Sequence, residues 1–261
     1  MGRCRYLDRF PDAGFRMSQS PILAVIPARY GSTRFPGKPL TPILGKPLLQ
    51  WVWEGAKQAR LIDQVLIATD DDRIASAAQR FGAEIRMTKT DHPSGTDRIA
   101  EATRDMQARW ILNIQGDEPL IDGATLDRWI AHFQPSFGMT TAATPLADSS
   151  DRLRQDVVKV AFDAQGRALG FQRLLSMDQD HRWNHQHMGL YAYTPETLAR
   201  FVSLPPSPGE VHQRLEQLRA LENGIAIQVI PLTFLSVGVD TPGDVPRAER
   251  ALAQRAATVS K

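Results

Sequence analysis

Ala24-Val-Ile-Pro-Ala-Arg-Tyr-Gly-Ser-Thr-Arg-Phe-Pro-Gly-Lys-Pro-Leu40 carries an apolar run straight into a loop with two glycines, two arginines and a lysine. The run begins at Ile22, and residues 22–26 read as a buried strand. A strand that feeds a cationic loop is a phosphate grip: backbone N–H groups supply directional donors while Arg and Lys supply charge. Two common versions of the grip do not fit. A P-loop places four residues between its glycines and follows its lysine with Ser or Thr, whereas five residues separate Gly31 from Gly37 and Pro39 follows Lys38. The glycine spacing of a dinucleotide-binding turn is not met either. The loop therefore holds a polyphosphate by another scheme, with Arg29, Arg34 and Lys38 prominent.

Downstream of this loop the periodicity alternates. Residues 48–60 read as a helix, apolar at Leu48, Leu49, Val52 and Ala56, and residues 64–69 as a strand ending in Asp70-Asp71-Asp72. A helix over 73–81, a short strand over 84–87, a helix over 96–107 and a central strand over 110–114 follow. Such alternation implies a mostly parallel sheet with helices on both faces, a three-layer Rossmann-like α/β fold, and ligands at the carboxyl ends of its strands. The cationic loop, Gln115-Gly-Asp-Glu118 and Gly238-Val-Asp240 are read at such ends. After residue 155 the pattern changes. Residues 157–162 and 167–172 read as a hairpin turned by Asp163-Ala-Gln-Gly166, an inserted β-rich segment. Residues 187–193 and 225–230 read as strands, 210–222 as a helix that Asn223-Gly224 ends, and 242–257 as a closing helix.

A chain of 261 residues suits one large domain, here 21–257, and buries a sizeable core. Net charge is +2, so no general affinity for nucleic acid is expected and the cationic charge is local to loops. The single cysteine, Cys4, excludes an intrachain disulfide and a Cys-rich metal site, which fits a reducing cytoplasm. No apolar run approaches the roughly 20 residues of a membrane span, so no stable membrane association is expected. Residues 1–20 read as a disordered extension; the first sixteen carry four arginines, and Met17 reads as an alternative initiator.

Asp117 ends the strand over 110–114 and its loop, and Gly116 lets backbone approach a ligand. A turn or cap is one role for such an Asp; a Mg²⁺ ligand is another. Mg²⁺ takes one or two carboxylates and completes its shell with phosphate oxygens and water, so a second aspartate is required, and Asp240, after the apolar run from Phe234, is the best placed. In His92-Pro-Ser-Gly-Thr-Asp-Arg98, Ser94 or Thr96 reads as a helix cap. His187 taken alone reads as a core histidine on a strand, but His187 and Tyr191 are four apart and share a strand face. His181, His185 and His187 lack the fixed spacing to a further ligand that zinc would need.

Six blocks occur in order: Ile26 to Leu40, His92 to Arg98, Gln115-Gly-Asp-Glu-Pro119, His187-Met-Gly-Leu-Tyr191, Leu215-Glu-Gln-Leu-Arg219 and Gly238-Val-Asp-Thr-Pro242. Together they resemble the sugar nucleotidyltransferases, and among them the 3-deoxy-manno-octulosonate (Kdo) cytidylyltransferases, from about Pro21 to about Arg250. The resemblance implies a nucleotidyltransferase fold of the glycosyltransferase-A-like type. It implies CTP and a sugar acid as substrates, CMP-Kdo for lipopolysaccharide as product, and a homodimer. Arg29, Ser32, Arg34 and Lys38 would face the triphosphate. Ser94, Gly95 and Gln115 would border the cytosine, and Asp117 with Asp240 would hold Mg²⁺. Arg173, His187, Tyr191, Glu216 and Gln217 would face the sugar acid, in a sugar-binding and dimer-forming segment over about 155–225. Catalysis of this type is in-line positioning plus charge neutralisation, with Arg29, Arg34, Lys38, Asp117 and Asp240 as the catalytic set.

The departure from the family pattern lies in Gln172-Arg-Leu-Leu-Ser-Met177, where a Ser-Arg-Ala-x-Ile-Pro type of segment is usual. An amino-substituted octulosonate, another sugar acid, or a nucleotide-binding paralogue without catalysis stay open as alternatives. The intact Lys38, Asp117 and Asp240 argue against the last.

Overall fold

The computed structural model describes residues 20–31, 35–175, 182–234 and 236–259. The elements are, in chain order, β1 (Ile22–Ala28), a small ribbon of β2 (Pro42–Ile43) and β3 (Lys46–Pro47), α1 (Leu48–Lys57), β4 (Gln64–Thr69), α2 (Asp72–Arg80), β5 (Glu84–Met87), α3 (Gly95–Ala102), β6 (Trp110–Ile114), α4 (Gly123–Ile130) and β7 (Met139–Pro145). Then come β8 (Lys159–Phe162), β9 (Ala168–Gln172), β10 (His185–Tyr193), α5 (Pro195–Ser203), α6 (Pro208–Gln213), α7 (Gln217–Glu222), β11 (Ile227–Pro231) and α8 (Val245–Val259).

The main sheet runs β11-β7-β10-β6-β1-β4-β5. Every neighbouring pair along it is parallel except those of β10, which is antiparallel to both β6 and β7. From β1 the chain builds outward through β4 to β5, then returns across β1 to β6 on its other side. That reversal opens a crevice at the carboxyl ends of β1 and β6, where open α/β sheets bind ligands.

Strand alternation sorts the core into two layers. On β1, Ile22, Ala24, Ile26 and Ala28 join a cluster with Leu49 and Val52 of α1, Ile74 of α2 and Leu126 and Trp129 of α4. Val25 faces the other way, into a cluster with Ile99 of α3, Leu198 and Phe201 of α5 and Leu218 of α7. A third cluster gathers Ile43, Leu48, Leu120, Val237 and Val239 against Ala248 and Leu252 of α8. Two glycines set how closely α1 meets its surroundings: a Cβ on Gly55 would lie 2.1 Å from the Ile121 carbonyl oxygen, and one on Gly123 2.3 Å from the Gln58 carbonyl carbon.

Strands β1, β4, β5 and β6 fall where the sequence reading puts them. The helix expected over 96–107 stops at Ala102, where the Thr103 hydroxyl donates to the Ile99 carbonyl at 2.9 Å. The helix expected over 210–222 is two short helices, broken where Arg214 takes a left-handed φ of 54° without being glycine. The inserted hairpin is present as β8 and β9, and β8 is continuous with the main sheet through β10. Since β10 sits between β6 and β7, the stretch 155–225 is woven into the sheet rather than set apart from it. The extension over residues 1–19 lies outside the described residues.

Candidate functional site

A cleft of about 280 Å³ opens at the crevice between β1 and β6. Its wall includes Arg29, Lys38, Ser94, Gly95, Gln115, Asp117 and Asp240. Residues dispersed over two hundred positions of sequence thus line one hollow. Four pieces of backbone deliver them: the loop after β1, the N-terminus of α3, the loop after β6 and the segment that leads into α8.

The β1 loop returns on itself because the Gly37 N–H donates to the Tyr30 carbonyl at 2.9 Å. Gly37 has φ +73° and a Cβ there would meet the Tyr30 ring at 3.2 Å, so glycine serves both turn and packing. The guanidinium of Arg73 covers the Tyr30 ring at 3.3 Å from its centroid and pairs with Asp71, the N-cap of α2, at 2.6 Å. Ser32 and Arg34 lie outside the described residues. Lys38 follows Gly37, and its Nζ lies 2.9 Å from Asp117 Oδ2 and 3.4 Å from Asp240 Oδ1.

Asp117 follows β6, as expected. Asp240 does not end a strand: the described residues just before it, 236–239, form none, and the Val239 N–H donates to the Asp117 carbonyl at 2.9 Å, which brings Asp240 alongside. Beyond it Thr241 and Asp244 close a capping box at the turn into α8. Two carboxylates that share one ammonium are an oxygen-only, doubly anionic donor pair, the chemistry that suits Mg²⁺. Among the described residues no group of three or more His, Cys, Asp or Glu gathers, so a cation here would complete its shell with substrate oxygens. Next to Asp117, Glu118 accepts from the Ser236 hydroxyl at 2.7 Å, and burial, helped by the Asp117 charge, pushes its carboxyl up to about 7.

At the α3 end, the Ser94 side chain caps the helix, accepting from the Asp97 N–H at 3.2 Å. Thr96 does not cap. Its hydroxyl donates to Glu216 Oε2 at 2.9 Å, while the Ser94 hydroxyl lies 2.8 Å from Glu216 Oε1. Burial raises the Glu216 carboxyl, against the lowering effect of these hydroxyls. Glu216 therefore joins the cleft to a second group. Gln217 Oε1 accepts from the Tyr191 hydroxyl at 3.1 Å, and the Tyr191 and His187 rings lie 5.3 Å apart. His187 Nε2 is 2.9 Å from the Thr141 hydroxyl, and burial pushes the imidazole down to about 3. Burial likewise raises the Tyr191 phenol, so ring and phenol both stay neutral near pH 7.

Arg173 stands apart from this group. Its guanidinium donates to the carbonyls of Gln213 at 2.9 Å, Gln155 at 3.1 Å and Arg214 at 3.3 Å, and it lines a separate hollow with Gln155, Asp156, His212 and Arg214. Beside it the fully buried Lys159 ammonium donates to the carbonyls of Arg154 at 2.7 Å, Val157 at 2.8 Å and Arg173 at 2.5 Å. Burial draws the Lys159 pKa down.

Sequence reasoning missed Lys159, Arg98 and Glu118. Arg98 is 4% exposed, lines the cleft and pairs with Asp70 at 3.3 Å. Its position inside the block from His92 to Arg98 was the available signal. Lys159 gave none, because a lysine in a short strand reads as solvent-facing.

A crevice at a sheet's switch point, lined by Arg29, Arg98 and a lysine shared between two carboxylates, marks a nucleotide-binding α/β protein. A family model described as Cytidylyltransferase matches residues 23–227. The chain belongs to that family. It is 46% identical over 242 residues to the 3-deoxy-manno-octulosonate cytidylyltransferase of Syntrophotalea carbinolica, an alignment covering 87% of this chain and 97% of the relative. With the protein of the same name from Geobacter sulfurreducens it shares 44% identity over 243 residues, covering 87% and 97%. Among solved structures, CMP:2-keto-3-deoxy-manno-octonic acid synthetase complexed with CTP superimposes with a TM-score of 0.85 at 36% identity, covering 90% of this chain and 100% of that one.

Proposed function

We propose that this protein transfers CMP from CTP to the anomeric 2-hydroxyl of 3-deoxy-D-manno-octulosonate, releasing pyrophosphate and forming CMP-Kdo for lipopolysaccharide assembly. The names of relatives aligned over nearly their whole length support the reaction, and the CTP-bound neighbour supports the nucleotide. The observation that carries the site is Lys38 held between Asp117 and Asp240 in the switch-point cleft.

The sugar hydroxyl oxygen forms a bond to the α-phosphorus, the bond to the bridging oxygen on the β side breaks, and the hydroxyl proton passes to solvent. Arg29, Ser32, Arg34 and Lys38 bind the triphosphate and balance the charge of the departing pyrophosphate. Ser94, Gly95 and Gln115 border the base; the Gln115 amide offers a donor and an acceptor to a pyrimidine edge, and its Nε2 is steadied by Asn113 Oδ1 at 3.0 Å. Asp117 and Asp240 would hold Mg²⁺, which when bound would supply a Lewis acid for the attacking hydroxyl and for the charge at the α-phosphate. With the carboxylates engaged by a cation, the Lys38 ammonium, now 2.9 Å from Asp117 and 3.4 Å from Asp240, would be released to phosphate.

His187, Tyr191, Glu216 and Gln217 bind the sugar acid. Neutral imidazole and phenol groups suit hydroxyl partners without adding charge repulsion. Arg173 supplies the cation for the sugar carboxylate through guanidinium N–H groups left over from its three carbonyl bonds, since the group carries five. The enzyme works in the cytoplasm as a homodimer. Among the described residues, four of the seven large apolar side chains that stand exposed, Leu153, Leu169, Leu174 and Val211, fall in or beside the 155–225 segment, which supports a self-association surface there. Among the described residues no helix is long and apolar enough to cross a membrane.

A pyrophosphate-release assay with each of the four NTPs against Kdo and related sugar acids tests this reading. CTP with Kdo is expected to outpace every other pair. Turnover with a different NTP, or with another sugar acid in preference to Kdo, overturns the respective half.

A further inference from the structure

Residues 236–240 alternate between two environments. Val237 and Val239 are 6% and 0% exposed and point into the cluster with Leu48, Leu120 and Leu252. Ser236, Gly238 and Asp240 serve the opposite side. The Ser236 hydroxyl donates to Glu118 Oε1 at 2.7 Å, a Cβ on Gly238 would lie 3.5 Å from that same oxygen, and Asp240 reaches Lys38 at 3.4 Å. Two successive residues of the β6 loop therefore grip the segment. Asp117 takes the Val239 N–H through its backbone carbonyl at 2.9 Å, and Glu118 takes Ser236 through its side chain. The first anchor fixes the depth of the segment and the second its register. With period two along the chain, fixing Ser236 decides which way Asp240 faces.

We propose that Glu118 is a positioning residue: through Ser236 it clips the 236–240 segment so that the Asp240 carboxylate stands beside that of Asp117, and so sets the affinity of the pair for a divalent cation. The inference rests on the reading of Asp117 and Asp240 as the cation's ligands. Packing of Val237 and Val239 holds the segment against α8, but apolar side chains tolerate sliding by a fraction of an ångström. A hydrogen bond fixes direction as well as distance. Outer partners of this kind act on metal affinity without touching the ion.

The test is Mn²⁺ binding to the full-length protein without nucleotide, with free Mn²⁺ counted by its EPR signal and urea midpoints measured alongside. Ser236→Ala is expected to weaken Mn²⁺ binding about 10-fold with the urea midpoint little changed. Ser236→Thr, which keeps the hydroxyl, retains wild-type affinity, and so does Glu118→Gln, which keeps the accepting oxygen. Glu118→Ala weakens binding at least as much as Ser236→Ala, since its carboxyl also accepts from the Val237 N–H, and the double variant is no worse than Glu118→Ala alone. If Asp240→Asn abolishes Mn²⁺ binding while Ser236→Ala and Glu118→Ala bind it as wild type does, the clip does not position the carboxylate and the proposal falls. If Asp240→Asn itself binds Mn²⁺ like the wild type, the two-aspartate reading fails first and takes the clip with it.

Discussion

The side chain with the most demanding neighbourhood is Lys38, one ammonium against two carboxylates. All three groups keep part of their surface in water, with side-chain exposures of 18%, 28% and 52% for Lys38, Asp117 and Asp240. The arrangement is therefore a site held open to exchange partners rather than a sealed ion pair. Asp117→Asn and Asp240→Asn are each expected to reduce kcat by two orders of magnitude or more, roughly the loss seen when one electrostatic stabiliser is removed; turnover at wild-type rate in either would contradict the assignment. His187 offers a pH test of the second group. Its folded pKa of about 3 lies below the unfolded value of 6.5, so below pH 6.5 the unfolded chain binds a proton that the folded chain refuses. Stability is therefore lost as pH falls from 6.5 toward 3, by up to about 1.4 kcal/mol per pH unit. Urea melts at pH 6.5 and 5 are expected to show a smaller difference in His187→Asn than in wild type. Equal differences would mean that His187 is not buried neutral.

Among the elements, what the sequence makes legible depends on how each one pays for its burial. β1, β4 and β6 are continuous apolar runs and declare themselves. β7 hides, because Met139-Thr-Thr-Ala-Ala-Thr-Pro145 is half polar. Thr140 and Thr141 are nevertheless fully buried, since the Thr141 hydroxyl donates to the Leu190 carbonyl at 2.7 Å. A side-chain bond to a bulged partner strand is a tertiary fact, invisible in the local pattern. The break between α6 and α7 is equally silent, because Arg214 carries no turn signature. Asp240 shows the same limit at the site: the structure sets it on the same ammonium as Asp117, but its support is the Asp117 carbonyl rather than a strand. The close approach of α1 yields a prediction at this scale. Gly55→Ala forces a methyl into the Ile121 carbonyl oxygen and is expected to lower stability by about 3 kcal/mol or more, measured by urea denaturation. A loss below 0.5 kcal/mol would show that the contact yields.

For the whole molecule, one antiparallel strand in an otherwise parallel sheet carries much of the design. β10 pairs with β7 along one edge and, along the other, with β8 near its start and β6 near its end, and it carries His187 and Tyr191 close to Gln217, next to the Glu216 that meets Ser94 of the cleft. The regions proposed for the two substrates are thus parts of one sheet. The exposed apolar side chains of the β8–β9 region give this scale its own prediction. Sedimentation is expected to return twice the chain mass for wild type, and Leu169→Glu combined with Leu174→Glu to return the monomer; a wild-type monomer would contradict the homodimer.

The blocks that begin at Ile26, His92 and Gln115 reached the cleft because each is a strand end or a helix start, where function and backbone geometry coincide. The acceptor half was less legible, since Arg173 spends three bonds on carbonyls that no motif announces. The central claim is that this cleft joins CMP to Kdo. Its most direct test is ³¹P NMR of the enzyme with CTP, Kdo and Mg²⁺. The account expects one new phosphodiester resonance to grow in step with pyrophosphate and to be missing when Kdo is left out. Pyrophosphate without the phosphodiester, or CTP left intact, would contradict it.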